Sequence, residues 1–305
     1  MLTKDLLPGV PLIESPFFAR DISSLPESYQ LIAQQLHDHG FAVIDFPDAR
    51  FDEKAEAIKN RLAARFGWSD PAACPMSARI QDAWEFDRDV RDIACNDAIL
   101  DLLSALYGKT AFPFQTLNFP IGTQQPAHSD HIHFSAIPER FMCGVWIALE
   151  DVHADAGPLY YYPGSHVWPS FGNEHIGVSL GKDPPDAAVR KFVHLHDALP
   201  KALGVERQTF LARKGQALIW ASNLLHGGAP RVDAARSRWS QVTHYFFEGC
   251  RYTTPLKNDA MAGTTIRRRV KDVRKESGLS GVRVDGSSLA QQIISAFANR
   301  RKPKD

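Results

Sequence analysis

The chain has no paired cysteines: Cys74, Cys95, Cys143 and Cys250 stand far apart among 305 residues, and no Cys-x-x-Cys unit occurs. A zinc knuckle or a dithiol redox motif is therefore not indicated, and buried free thiols are the expected state. No apolar run approaches the length of a membrane span. The first 21 residues, MLTKDLLPGVPLIESPFFARD, are broken by Pro8, Pro11 and Pro16 and carry acids. They lack the apolar core of a secretion signal, so cytoplasmic residence is the expectation. Internal repeats and low-complexity stretches are also missing. Net charge is absent too, because 35 Lys+Arg offset 35 Asp+Glu. With 44% hydrophobic and 23% charged residues, the composition is that of a soluble globular protein, and 34.0 kDa is enough to bury a large core. One domain, spanning 1–305, is expected.

The zero net charge hides an uneven distribution. From Arg251 onward there are 13 Lys+Arg and 5 Asp+Glu, which leaves the tail at +8 and the rest of the chain at −8. Arg267-Arg268-Arg269-Val270-Lys271 and Arg300-Arg301-Lys302 could meet nucleic acid. No stacking aromatics accompany them, so residues 251–305 are read as a basic helical tail with a solvated face, and no nucleic-acid or membrane partner is expected.

Residues 1–110 read as a helical scaffold that also contributes a strand. Ser24-Leu25-Pro26-Glu27 has the form of a capping box, and Tyr29, Ile32, Ala33 and Leu36 follow at helical spacing up to Gly40. Phe41 to Phe46 reads as a buried strand. Phe51, Ala55, Ile58, Leu62 and Phe66 mark a second helix closed by Gly67, and a third runs from about Asn96 to Tyr107. From 111 to 250 the pattern changes to short segments rich in aromatic and β-branched residues, clearest at 142–149, 159–162, 216–221 and 239–247. No helical pattern alternates with them as a parallel sheet would require, so an antiparallel sandwich or barrel is expected. Residues 167–210 interrupt it with an insertion of the size used for active-site lids.

His128-Ser129-Asp130 is the chemically suggestive triplet. Residues i and i+2 of an extended segment project to one side, so an imidazole and a carboxylate can reach one ion together. His-x-Asp alone is common, and its weight comes from its company. Val145-Trp146-Ile147-Ala148-Leu149-Glu150-Asp151, Gly157-Pro158-Leu159, Pro163-Gly164-Ser165-His166, Gly215 to Trp220 and Leu225-His226-Gly227 follow it in order.

This ordered set resembles the phytanoyl-CoA dioxygenase family of Fe(II)/2-oxoglutarate oxygenases over roughly residues 25–250. The resemblance implies a mainly β fold with flanking helices, its core a double-stranded β-helix of the jelly-roll, cupin-like kind. It implies His128, Asp130 and His226 as the catalytic metal ligands, two imidazoles and one carboxylate on one face of an octahedral ion. It also implies Arg238 as the bidentate partner of the far carboxylate of 2-oxoglutarate. Ser240, two residues on, shares that role, and Trp146 and Gln115, with Asn118, are expected to line the cosubstrate pocket. Where some members carry a hydroxyl residue two positions after the distal histidine, this chain has Gly228.

Other histidines compete. His133 is expected beside the pocket, His131 is set aside as a ligand because the resemblance places the metal on His128 and Asp130, and His166 and His244 are read as structural. Arg236 rivals Arg238 by position only. The resemblance implies a dioxygenase that uses Fe(II), 2-oxoglutarate and O2 to hydroxylate a small-molecule substrate, and the presence of Asp130 speaks against halogenation. A metal- or small-molecule-binding barrel without turnover is the rival, and it has no use for a guanidinium near the distal ligand. Trp168, Phe171, His175, Lys182 and Arg190 are candidates to line the substrate pocket.

Overall fold

The computed structural model describes residues 6–276. After a four-residue helical turn, α1 (Phe18–Asp21), helix α2 (Glu27–His39) leads into β1 (Phe41–Asp45), and α3 (Phe51–Phe66) follows. Both long helices end on a glycine in the left-handed region, Gly40 at φ 80° and Gly67 at φ 69°, as expected. The capping box does not form. Ser24 closes a 3-10 turn, its hydroxyl donating to Asp21 O at 2.6 Å, and Pro26 takes the cap position without a side-chain bond. Helix α5 (Asp97–Tyr107) is capped by Asn96, whose Oδ1 accepts from Ile99 N at 3.1 Å. Helix α4 (Arg88–Ala94) was not anticipated, and it starts on the Asp87 carboxylate, which accepts from Val90 N at 3.2 Å.

Ten further strands complete the frame. These are β2 (Ile80–Gln81), β3 (Ala111–Phe119), β4 (Ser135–Ile137), β5 (Met142–Ala148), β6 (Leu159–Tyr161), β7 (Gln208–Phe210), β8 (Gln216–Ala221), β9 (His226–Gly228), β10 (Ser240–Phe247) and β11 (Arg251–Thr253). A six-stranded antiparallel sheet runs β1-β8-β5-β10-β3-β2, and a three-stranded one runs β7-β6-β9. Sheet holds the centre as expected, although among the described residues helix exceeds strand, 33% against 21%, because most of residues 6–110 lie in α-helices or 3-10 turns.

Alternation along the strands assigns the two faces of the large sheet. Val145, Ile147, Ala217, Ile219, Tyr245 and Phe247 pack with Leu36, Ile58 and Leu102 of the helices. Trp146, Leu218, Val242 and Phe119 point the other way and pack with Leu159, Tyr161 and Phe210 of the smaller sheet. Both faces of β5, β8 and β10 are thus buried, each large apolar side chain contributing roughly 1.5–3 kcal/mol of transfer free energy.

The insertion carries one long helix between irregular segments. Helix α6 (Ala187–Ala202) packs Val189 and Phe192 against Ile132 and Leu256, and Asn173 ties the insertion to the chain beyond β11 by donating to Leu256 O at 3.2 Å and Asn258 O at 2.7 Å. The basic tail is not helical where it is described. Residues 251–276 form β11, a 3-10 turn and an irregular segment that returns along β3, with Val273 fully buried and its N–H donating to Pro113 O at 3.0 Å. Lys271 pairs with Glu85 at 2.7 Å and Arg274 with Glu248 at 2.8 Å, so part of the basic run is spent on internal ion pairs. The Arg300-Arg301-Lys302 run lies outside the described residues.

Candidate active site

His128 and His226 are brought together by backbone pairing. His128 N donates to His226 O at 2.9 Å and His226 N to His128 O at 3.0 Å, a reciprocal antiparallel bridge that leaves their rings 4.4 Å apart. The bridge needs a small residue beside it. A Cβ on Gly227 would stand 2.6 Å from the Tyr160 hydroxyl and 2.7 Å from Gln125 O. Asp130 is delivered by extended Ser129, which then caps a 3-10 turn: its Oγ donates to Ser222 O at 3.0 Å and accepts from His131 N at 3.2 Å.

The result is a compact donor set. His128 Nε2 lies 3.8 Å and His226 Nε2 3.9 Å from Asp130 Oδ1, and the ligating atoms all fall within 4.8 Å of one another. Each Nδ1 is held by a carbonyl, His128 on Pro126 O at 3.0 Å and His226 on Leu224 O at 3.1 Å, which places the proton on Nδ1 and the lone pair on Nε2. Asp130 Oδ2 is occupied separately, accepting from Trp220 Nε1 at 2.8 Å, with His244 Nε2 at 3.5 Å. Burial alone would raise the Asp130 pKa, but His226, His244 and His128 together pull it well below the usual carboxylate range. Burial and the neighbouring His226 keep the His128 imidazole neutral far below its ordinary pKa. Two imidazole nitrogen donors and one ionised carboxylate oxygen on a single face fit Fe(II).

The indole that steadies Asp130 depends on a glycine in the middle of a buried strand. Gly144 pairs with both Trp220 and His244 across the sheet, and a Cβ there would lie 2.3 Å from the Trp220 ring. Trp220 therefore lies over β5 and reaches the carboxylate.

Arg238 precedes β10 and is 3% exposed, with its guanidinium 5.5 Å from the Trp146 ring centroid and 6.0 Å from that of Phe119. Nη1 donates to Ser240 Oγ and Nη2 to Ile121 O, both at 3.3 Å, while the buried Nε has no partner. Burial lowers its pKa to about 10, partly offset by Glu150, so it stays charged at neutral pH. A buried cation that forms no carboxylate ion pair among the described residues suits the distal carboxylate of 2-oxoglutarate. Arg236, by contrast, is half exposed and paired with Asp233 at 3.1 Å.

The remaining sequence candidates separate cleanly. Gln115 lies opposite His244 on the inner face of β3. Asn118 faces the helices instead, donating to Gln241 Oε1 at 3.2 Å, and so lies away from the site. His133 lines a cavity with His128, as expected, its pKa pushed down to about 4 chiefly by burial. His131 bonds Ser135 Oγ at 3.2 Å and His166 bonds His37 O at 3.0 Å, both structural contacts. Within the insertion, Trp168 and Phe171 line a second cavity, whereas Lys182 and Arg190 are solvent-exposed and His175 bonds Gly172 N at 2.9 Å. Sequence reasoning missed Gln125, whose Nε2 is 3.2 Å from His128 Nε2, and Asn223 and His196, which line the cleft. Gly228 is explained by space, since a Cβ there would meet Thr123 Oγ1 at 2.7 Å.

Known proteins share this framework. The epimerase SnoN from nogalamycin biosynthesis, solved with Fe3+, alpha ketoglutarate and nogalamycin RO, aligns at 19% identity and TM-score 0.56 over 84% of this chain and 97% of its own. The alpha ketoglutarate dependent carbocyclase SnoK aligns at 15% identity and TM-score 0.56, covering 79% of this chain and 91% of its own. EctD from S. alaskensis with bound Fe aligns at 17% and 0.52, over 73% and 78%. At these identities the likeness establishes the fold. No curated protein matches the sequence. The profile of phytanoyl-CoA dioxygenase (PhyH) matches residues 8–238, three-quarters of the protein and every ligand candidate, and the chain belongs to that family.

Proposed function

We propose that the protein is an Fe(II)- and 2-oxoglutarate-dependent dioxygenase that hydroxylates an unactivated C–H bond of a small molecule, on a double-stranded β-helix built from the large sheet and the β7-β6-β9 sheet. The observation that carries the reading is the convergence of His128 Nε2, Asp130 Oδ1 and His226 Nε2, with Arg238 packed on Trp146 and Phe119 of the same interior.

In this reading His128, Asp130 and His226 hold Fe(II), and Arg238 receives the far carboxylate of 2-oxoglutarate, with Ser240, Trp146 and Gln115 around it. Bound iron supplies the oxidative decarboxylation of 2-oxoglutarate to succinate and CO2 with O2, and the oxidation of substrate. The protein's part is positional. Trp220 and His244 fix Oδ2 of Asp130 so that Oδ1 faces the imidazoles, and carbonyls O of Pro126 and Leu224 fix the ring tautomers. Gln125 Nε2 lies 3.2 Å from His128 Nε2, the nitrogen that would hold iron, so metal binding would replace that contact. Val189 and Phe192 of α6 cover the His128 edge and limit water. The related fold also hosts an epimerase and a carbocyclase, so the outcome of the oxidation is the part under test. Mass spectrometry of a cell extract incubated with the protein, Fe(II) and 2-oxoglutarate is expected to reveal a product one oxygen heavier than its precursor. A product of unchanged mass, or one lacking two hydrogens, would replace hydroxylation with another oxidation.

A further inference from the structure

Arg268 belongs to the basic run that reads as a solvated tail, yet backbone pairing carries it to the flank of the metal site. Strand β11 pairs with β4, the strand that follows His133 and Phe134, through Thr253 opposite Ser135. Thr253 also bridges Arg267, and Arg268 N donates to Tyr252 O at 2.7 Å. The Arg268 guanidinium then lies over the Phe134 ring, 4.6 Å from its centroid, with the Phe114 centroid at 5.9 Å. Phe134 in turn stands 5.0 Å from the His244 ring and 6.1 Å from that of His133, while His244 Nε2 is 3.5 Å from Asp130 Oδ2. One aromatic ring thus separates the guanidinium from side chains that border the ligand set.

The neighbouring cations of the segment are paired, and Arg268 is not. Lys271 meets Glu85 at 2.7 Å, and Arg274 meets Asp272 at 2.7 Å and Glu248 at 2.8 Å. The half-buried Arg268 guanidinium has aromatic contacts but no hydrogen bond or ion pair among the described residues. Burial lowers its pKa, and Asp82 opposes this from beyond ion-pair distance. That carboxylate is already engaged, accepting from Trp84 Nε1 at 3.0 Å, Thr116 N at 3.1 Å and Gln81 Nε2 at 3.2 Å. Arginine stays charged at neutral pH even so. The charge of Arg79, immediately before β2, reaches His133 together with that of Arg268, so this flank is positive.

A loaded metal site would not use up the Arg268 charge. Those of Fe(II) and Arg238 are matched by Asp130 and a doubly ionised 2-oxoglutarate, which leaves Arg268 over. A partly desolvated cation without a counter-charge is unfavourable, and stacking on Phe134 fixes the plane of a fork whose edge fits two oxygens of an anion.

We propose that Arg268 receives an oxyanion group of the substrate, a carboxylate or a phosphate, at the edge of the site beside His133 and Phe134. The proposal rests on the reading of His128, Asp130 and His226 as the iron site, and it makes the substrate an anionic small molecule.

The test uses the full chain with Fe(II) and saturating 2-oxoglutarate under argon near pH 7, and two pairs of probes: phenylacetate against phenylacetamide, and benzyl phosphate against benzyl alcohol. Dissociation constants from ligand-observed NMR are expected to favour at least one anion over its neutral partner by about tenfold or more, and the favoured pair tells carboxylate from phosphate. In Arg268→Gln that preference is expected to shrink to about threefold or less, and in Arg268→Lys to fall between the two. Arg269→Gln, at an exposed neighbour, is expected to leave it as in wild type. If Arg268→Gln fails to fold, as judged by circular dichroism, the Arg268 Nε–H signal of the 15N-labelled wild type decides, and it is expected to shift on addition of the preferred anion. No preference for either anion, an undiminished preference in Arg268→Gln, an equal loss in Arg269→Gln, an unmoved Nε–H signal, or binding of no probe overturns the proposal. Because binding is read without oxygen, absence of succinate formation under air bears on the oxygenase reading only.

Discussion

Arg238 and Trp220 make the division of labour among single residues testable. Replacing Arg238 with Lys keeps the charge but loses the planar fork, and the KM for 2-oxoglutarate in a succinate assay is expected to rise about tenfold or more. An unchanged KM would remove Arg238 from the cosubstrate site. Trp220→Phe removes the 2.8 Å bond to Asp130 Oδ2 together with part of a fully buried ring. Fe(II) affinity is expected to fall roughly 10–100-fold, a larger effect than the loss of about 1–3 kcal/mol in stability of the metal-free protein that the cavity causes. Of these residues, His128, Asp130, His226 and Arg238 were legible because short spacings and a fixed order of motifs mark them. Trp220 was legible only as part of a strand, since its bond to Asp130 spans 90 residues and depends on register with Gly144. Gln125, Asn223 and His196 gave no local signal, as an amide or imidazole in a loop or helix reads the same whether it lines a cleft or faces water.

Elements tell the same story through glycine, proline and buried charge. The helices ended by Gly40, Gly67 and Gly108 were readable because each glycine adopts the left-handed conformation that terminates a helix. Helix α6 was not, because Pro184-Pro185 precedes it, Pro200 lies inside it, and its inner face carries histidine among apolar residues. Gly144→Ala forces the Trp220 ring off β5, and a loss of about 1–3 kcal/mol in chemical denaturation is expected, together with weakened Fe(II) binding. The clip at the base of the insertion carries a pH signature. Arg140 donates to Trp168 O at 3.1 Å and lies 3.5 Å from Glu14, whose pKa burial raises to about 7 despite that arginine. The folded state therefore holds the Glu14 proton more tightly than the unfolded chain. Its contribution to stability is complete below about pH 4.5 and is lost as pH rises through 7. Relative to Glu14→Gln, the wild type is expected to lose on the order of 2 kcal/mol between those limits, read from urea denaturation at each pH. Parallel curves would show that Glu14 does not titrate in this way.

At the scale of the whole molecule, the large sheet works as a wall with two dry faces, helices behind it and the site in front. The antiparallel core was legible from strand composition, but the return of residues 266–276 along β3 was not, since a run of arginines reads as a solvated tail until Val273 and the Lys271 and Arg274 ion pairs are seen in place. Truncation after Thr265 is accordingly expected to cost about 2 kcal/mol or more, a fall of roughly 4–8 °C in Tm, and a Tm equal to that of the full chain would return the segment to the role of a tail. The central claim is that the His128, Asp130 and His226 centre uses iron to consume 2-oxoglutarate. Succinate release under air, with Fe(II) and 2-oxoglutarate and with or without a cell extract as substrate source, tests it in wild type against Asp130→Ala. The account predicts succinate from the wild type, none above background from the variant, and loss of the wild-type signal on iron chelation. Equal succinate from both proteins, or none from either, would contradict it.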